Sequence, residues 1–181
     1  MTAHELKQRH RASALRRRRV VAVIGSRSEA NVGACEEVGR LIAELGCDLL
    51  TGAGGGVMEE VGRTFCARRD ELGSTALAVG IVPGDTNADG EYVTKPGYPN
   101  SWVELAIYTH LSRSDRNPIN VLSADAIVAL PGGPGTRSEI ELAKQYGVAV
   151  IAYGGHEPAG IERATRIEQV QEFLASQLSQ P

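Results

Sequence analysis

The sequence predicts a single α/β domain in which helices cover both faces of a mostly parallel sheet. Six short apolar runs have the length and composition of buried strands, and segments with helical spacing separate most of them. Strands that alternate with helices form βαβ crossovers, which produce a parallel sheet. The length of 181 residues suits one domain with a substantial core.

The first half of the chain supplies three strands and two helices. An amphipathic helix is predicted at 31–46, because apolar residues recur there at intervals of three and four and a glycine ends the segment. The glycine-rich stretch "AGGGVMEEVGRTFCARR" is a loop that leads into a second helix. The strands are predicted at 20–25 ("VVAVIG"), 47–52 ("CDLLTG") and 76–83 ("ALAVGIVP").

The second half begins with a long polar segment. Residues 84–101 are rich in Gly, Pro, Asn and Asp and predict a loop, and a loop of this length in a compact domain indicates function. The elements expected after it are a strand at 102–109, a short helix or turn at 114–124, a strand at 125–130, a helix at 138–146, a strand at 148–153 and a polar amphipathic helix from about 163 to 178.

Composition and charge argue against several classes of function. Aromatic residues make up only 4% of the chain and the net charge is −3, which disfavours nucleic-acid and membrane partners. Residues 1–19 nevertheless hold seven basic side chains and only one acidic residue, Glu5. We interpret them as a solvated N-terminal extension to a domain at 20–181, with an arm for nucleic acid or an acidic partner as the alternative.

The expected compartment is the cytoplasm. No signal-sequence core or membrane span follows the basic segment. Cys35, Cys47 and Cys66 lack the spacing of a zinc site or a disulfide framework, so we expect buried thiols in a reducing environment. Neither a metal nor a cofactor is predicted.

Glycine-rich turns follow three of the predicted strands. In parallel sheets, ligands bind beyond the carboxyl ends of the strands. Glycine lets an anion approach the backbone N–H groups, and the dipole of a following helix favours phosphate. Ordinary tight turns are the alternative. The phosphate-binding residues predicted on this basis are Gly25, Ser26, Gly54, Gly55, Gly56, Gly132, Gly133, Gly135 and Thr136.

Two charged residues extend this predicted pocket. The chain has no GxxxxGK[ST] motif and no well-placed GxGxxG motif, which disfavours a P-loop nucleotidase and a nicotinamide dehydrogenase. Glu139 follows the third glycine turn, and Arg116 precedes the fifth strand, where its guanidinium is predicted to hold a phosphate or a ribose hydroxyl. A phosphate site with an arginine and a glutamate suits cleavage of an N-glycosidic bond in a nucleotide. Alternatively, Glu139 only interacts with the helix dipole.

The segment "LPGGPGTRSE" matches the motif PGGxGTxxE and resembles the LOG ("lonely guy") family of Rossmann-like proteins. "GAGGGVME" and "VIGSR" are similar to two further motifs of that family, and the resemblance covers about residues 20–153. It implies a Rossmann-like three-layer sandwich, a homodimer or homotetramer, and release of a free base from a nucleoside 5′-monophosphate. The family's catalytic arginine and glutamate correspond to Arg116 and Glu139.

One stretch departs from the LOG pattern. LOG enzymes have MHxRK around the arginine, whereas this chain has "SRSDRNPI", with Asn117 in place of the lysine. The "RN" form and "GIVPGDTNADGEYVT" are similar to a sister branch that includes molybdenum cofactor carrier proteins. That resemblance implies a non-catalytic carrier of a phosphorylated pterin or another phosphorylated ligand. The expected function is therefore a LOG-like phosphoribohydrolase, with a carrier protein as the alternative.

Overall fold

Seven parallel strands form the central sheet of the protein. The structure is a computed structural model that describes Glu5 and residues 18–155 and 160–179. Apart from Glu5 and residues 18 and 19, the predicted basic extension lies outside the described residues. The strands of the sheet are β1 (Val20–Ile24), β2 (Asp48–Thr51), β3 (Ala78–Val82), β6 (Leu105–Tyr108), β7 (Ala126–Ala129), β8 (Ala149–Ala152) and β9 (Glu162–Arg163). Their order is β6-β3-β2-β1-β7-β8-β9.

In residues 18–155 and 160–179, five helices cover the two faces of this sheet. They are α1 (Val32–Glu44), α2 (Val57–Glu71), α3 (Asn117–Ser123), α4 (Pro134–Tyr146) and α5 (Ile167–Leu178). Alternate residues of β1 point to opposite faces: Val21 and Val23 pack with α1, α2 and α5, whereas Ala22 and Ile24 pack with α3 and α4. The two apolar layers on either side of the sheet confirm the predicted three-layer α/β domain.

Several element boundaries differ from the sequence prediction. Helix α4 begins at Pro134 rather than Ser138, because proline at the first helical position already has the helical φ. Helix α5 begins at Ile167 rather than near residue 163, because Gln169 Oε1 accepts hydrogen bonds from the N–H groups of Thr165 and Arg166. The residues ahead of it form β9, which extends the sheet beside β8.

The segment 84–101 is also more ordered than a plain loop. It contains a small antiparallel hairpin of β4 (Asp85–Thr86) and β5 (Tyr92–Val93). The Tyr92 hydroxyl and the Thr94 hydroxyl both donate to the carbonyl of Pro83, at 3.1 and 2.9 Å. These bonds attach the hairpin to the end of β3.

The cysteines match the prediction of buried thiols. Cys35, Cys47 and Cys66 are all buried and unbonded to one another. Burial raises the pKa of Cys35 to about 12 and those of Cys47 and Cys66 to about 11, so the thiol form is favoured. Within the described ranges, no helix has the length and apolarity that crossing a membrane requires.

Candidate functional site

A cavity of about 870 Å³ lies beyond the carboxyl ends of the central strands. Its wall includes Gly25 and Ser26 from the end of β1 and residues 133–136 from the start of α4. Strand β1 pairs with β2 on one side and with β7 on the other, so the chain connections diverge at this point of the sheet. Such a switch point is where open α/β sheets bind ligands.

The start of α4, where the sequence predicts an anion site, borders the cavity. Gly133 caps the helix in an extended conformation, and Gly133, Gly135 and Thr136 line the cavity. The first turn of a helix leaves backbone N–H groups without partners inside the helix, and these groups attract anions. The Ser26 N–H donates to the carbonyl of Pro131 at 2.9 Å, which holds the β1 turn against the α4 turn.

The remaining predicted glycines, Gly54, Gly55, Gly56 and Gly132, are not among the residues that line the cavity. A Cβ on Gly132 would lie 2.8 Å from the Thr136 Cβ and 3.0 Å from the carbonyl carbon of Gly25. A Cβ on Gly56, which has φ of +62°, would overlap the backbone of Ser26 and Arg27. Gly54 and Gly55 belong to the same turn, and the Gly54 carbonyl accepts from Asn100 Nδ2 at 2.7 Å. These glycines therefore allow the close packing of loops that shapes the anion site.

Arg116 lies at the inner end of the cavity, immediately before α3. Its side chain is almost fully buried, with 5% of the residue exposed, and its Nη1 donates to the carbonyl of Ile81. A Cβ on Gly52 would lie 2.6 Å from Nη2, so the guanidinium fits only because residue 52 is glycine. Burial lowers the pKa of Arg116, an effect that the charge of Glu139 opposes and that of Arg113 reinforces.

Glu139 reaches the same cavity from α4. It is 9% exposed, and its Oε1 accepts from Asn120 Nδ2 at 2.7 Å. Burial raises the pKa of Glu139, and this effect outweighs the hydrogen bond from Asn120 and the attraction of Arg116. Glu139 and Arg116 thus line one cavity, and the predicted catalytic role of the glutamate stays a prediction. Glu141, two residues later, is exposed and pairs with Lys144 at 3.1 Å.

Asn120 is a site residue that the sequence interpretation missed. It lies four residues after Arg116, the residue that caps α3, so the two are about one helical turn apart, and this spacing was the available signal. Among buried side-chain atoms, Arg116 Nε and Asn120 Oδ1 have no hydrogen-bond partner among the described residues. We define the inner wall as Gly52, Arg116, Thr136 and Glu139, which line the cavity, together with Asn120, which donates to Glu139 without lining the cavity.

The outer part of the cavity comes from different segments. We define the rim as Arg27 with residues 84–95 and 112–114, of which several line the cavity. It includes the exposed cations Arg27, Lys95 and Arg113. The buried ring of Tyr98 also contributes to the wall, between the rim and the Gly54 turn. The sequence prediction missed these residues, because loop segments show no periodicity that places their side chains.

Comparison with models of protein families shows which family this chain belongs to. Residues 18–179 match the model of the SLOG cluster4 family. The chain belongs to this family. The match extends over both faces of the sheet and includes the inner wall and the rim. It confirms the LOG-like resemblance that the PGGxGTxxE motif indicated.

Individual relatives agree with this assignment. An uncharacterised protein of Archaeoglobus fulgidus is 33% identical over 140 residues, which cover 73% of this chain and 78% of that protein. The molybdenum cofactor binding protein of Rippkaea orientalis is 27% identical with a TM-score of 0.71, covering 90% of this chain and 99% of that one. A Moco carrier protein of Chlamydomonas reinhardtii is 26% identical with a TM-score of 0.67, covering 88% and 99%.

Proposed function

We propose that this protein is a carrier that binds a phosphorylated pterin of the molybdenum cofactor class in the cavity. The observation behind this proposal is that hydrogen bonds within the protein hold the charged side chains of the inner wall. Arg116 donates to the Ile81 carbonyl and Glu139 accepts from Asn120, so contacts within the protein hold both side chains. Such a wall suits recognition of a ligand by fixed groups, and two solved relatives at more than 25% identity are described as binding this cofactor.

The charge of the cavity supports an anionic cargo. Four basic side chains line it, Arg27, Lys95, Arg113 and Arg116, against two acidic ones, Asp85 and Glu139. This excess of positive charge occurs in a chain whose net charge is −3. A local field of opposite sign to the whole molecule concentrates anions in the cavity. The phosphate of the pterin would occupy the start of α4, where backbone N–H groups face it.

A phosphoribohydrolase is the second candidate, and one observation favours it. Thr136 at the anion site and Glu139 lie about one helical turn apart, or about 5 Å along the axis of α4. A ribose ring spans a comparable distance between its 5′-phosphate and its anomeric carbon. In that reaction water adds to the anomeric carbon, the N-glycosidic bond breaks and the base leaves with a proton. Glu139 would stabilise the oxocarbenium-like sugar or supply the proton.

One pair of measurements separates the two candidates. The protein is loaded with molybdenum cofactor, passed through gel filtration, and assayed for molybdenum and for pterin fluorescence after oxidation. In parallel it is incubated with purine, pyrimidine and cytokinin 5′-monophosphates, and the free base is measured by chromatography. We expect molybdenum and pterin to co-elute in equal amounts with the protein and no base to be released.

Two threonine variants give a matched control. Thr136→Val removes a hydroxyl from the anion site at nearly constant volume and should reduce retention of the cofactor. Thr165→Val removes a hydroxyl from an exposed position away from the cavity and should leave retention unchanged. Base release that disappears in Glu139→Gln would instead establish the hydrolase. Loss of the cofactor on the column would contradict the carrier.

We also propose that the predicted homodimer or homotetramer forms through the free edge of β6. This strand ends the sheet, and its Leu105, Ile107 and Tyr108 are 47%, 43% and 58% exposed. An uncovered edge strand with apolar side chains favours pairing with another chain. Light scattering after gel filtration should show a dimer or tetramer for the native protein and a smaller species for Ile107→Lys.

A further inference from the structure

The cations of the rim have no acidic partner in the part of the chain that the structure describes. Arg27, Lys95 and Arg113 line the cavity, yet none forms an ion pair or a side-chain hydrogen bond with any described residue. Several surface cations outside the cavity are paired with carboxylates, among them Arg18, Arg63 and Arg68. The positive charge of the rim is therefore free to meet a ligand.

The acidic residues close to the rim interact with other groups. Asp85 Oδ1 accepts from the N–H of Thr86 at 2.9 Å, and Asp115 Oδ2 accepts from the hydroxyl of Ser112 at 2.6 Å. Neither carboxylate pairs with Arg113 or Lys95. The charge of Arg113 also acts on Arg116, which places the rim close to the inner end of the cavity. Charge within this cavity is thus unbalanced in favour of the cations.

The rim differs from the anion site at α4 in position and in kind. The α4 site offers backbone N–H groups and the Thr136 hydroxyl, which recognise a phosphate by direct hydrogen bonds. The rim offers three exposed, charged side chains that reach the cavity from the end of β1, the segment after β5 and the segment before α3. A cluster of exposed charges of one sign raises the local concentration of anions.

We infer that the cavity contains a second anion subsite, formed by Arg27, Lys95 and Arg113, and that the ligand has two separate anionic groups. One group is the phosphate at α4, and the other is held at the rim. This inference rests on the proposed phosphate-bearing ligand. The second group is either another phosphate or the anionic oxo-metal end of a metallated pterin, and both present oxygen atoms with negative charge to the rim.

Two adenosine probes test this inference directly. Calorimetric titrations compare adenosine 5′-monophosphate with adenosine 3′,5′-bisphosphate, which differ by one anionic group. We expect the native protein to bind the bisphosphate about tenfold more tightly. The double variant Lys95→Ala/Arg113→Ala should lose most of this preference while its affinity for the monophosphate changes less than about twofold. The preference should also decrease as the salt concentration rises.

Arg40→Ala is the matched control, because Arg40 is exposed on α1 and does not line the cavity. It removes one cation from the surface and should leave the preference for the bisphosphate intact. Equal affinity of the native protein for the two probes would exclude a second phosphate at the rim, and the molybdate titration described below would then decide whether the subsite exists. An equal loss for both probes in the double variant would overturn the inference, since the rim would then hold the first phosphate.

A further titration identifies the second anionic group. Molybdate is added to protein saturated with adenosine 5′-monophosphate, with the double rim variant in parallel. Binding of molybdate that depends on Lys95 and Arg113 supports an oxo-metal group, whereas preference for the bisphosphate alone supports a second phosphate. If the native protein neither prefers the bisphosphate nor binds molybdate through Lys95 and Arg113, the inference of a second subsite is wrong. A positive result here with loss of molybdenum cofactor in the carrier assay would contradict the carrier and leave the subsite standing.

Discussion

The inner wall and the rim border the same cavity but differ in how the protein holds them. Arg116 and Glu139 are buried and hydrogen-bonded to the Ile81 carbonyl and to Asn120 respectively, whereas Lys95 and Arg113 are exposed and have no side-chain partner among the described residues. The inner wall belongs to α3, α4 and the strand ends, and the rim belongs mainly to loops. In the proposed complex, buried and bonded side chains would meet one group of the ligand, and exposed side chains would meet the remainder.

Two glycine substitutions, one beside the inner wall and one on the rim, should differ most in their effect on the free energy of unfolding. At Gly132, a new Cβ meets the Thr136 side chain and the backbone of Gly25; at Gly84, it meets only the ring of Tyr92. The backbone beside Gly132 cannot move without displacing β1, so Gly132→Ala should lower the free energy of unfolding by about 1–3 kcal/mol. Thermal denaturation measures this change, and phosphate-ligand affinity should fall with it.

Gly84→Ala is the comparison on the rim. The Tyr92 ring is only partly buried and can rotate, at the expense of its edge contact with Tyr108 and of the hydrogen bond from its hydroxyl to the Pro83 carbonyl. The substitution should cost about 1 kcal/mol, because one partly exposed hydrogen bond and a ring contact are lost. Equal destabilisation by the two substitutions would show that the rim is as rigid as the inner wall.

The next largest difference in stability is expected between the variants Arg116→Lys and Arg113→Lys. Arg116→Lys removes the planar guanidinium that donates to the Ile81 carbonyl, and a buried carbonyl without a donor costs about 1–3 kcal/mol. Arg113→Lys keeps the charge at an exposed position without a partner and should change stability by less than about 0.5 kcal/mol. Chemical denaturation of both variants decides whether Arg116 acts through its geometry or only through its charge.

A smaller, pH-dependent effect is expected for Glu139→Gln. Because burial raises the pKa of Glu139 above its ordinary value of 4.5, the folded state binds the proton more tightly than the unfolded state. Stability contributed by this group is therefore lost as the pH rises above that value. Glu139→Gln removes the buried charge while its amide oxygen still accepts from Asn120. Its Tm should exceed that of the native protein at about pH 7.5 and match it near about pH 4.

Glu141→Gln provides the control on the same helix. Glu141 is exposed and paired with Lys144, so its loss should change the Tm little at either pH. A Glu139→Gln variant that is less stable than the native protein at neutral pH would contradict the dominance of burial. It would indicate that the attraction between Glu139 and Arg116 outweighs desolvation.

The difference between the two regions also explains how far the sequence could predict this site. Arg116, Glu139 and the glycine turns follow strands that periodicity identifies, and the sheet topology then brings the strand ends together. Lys95 and Arg113 lie in segments without periodicity, so their approach to the cavity depends on tertiary contacts such as those of the β4–β5 hairpin with Pro83. The hydrogen bond from Asn120 to Glu139 likewise depends on how α3 packs against α4.

The geometry of helix α4 limits how the cavity can change in proteins that share this fold. It contains both the proposed anion site and Glu139 within its first two turns, so the spacing between them follows from helix geometry alone. No insertion or deletion in a loop changes that spacing. The segment 84–95, in contrast, can lengthen or shorten without disturbing the sheet. A lineage with this architecture can acquire a new ligand by remodelling one surface loop, while the chemistry beside the phosphate is inherited unchanged.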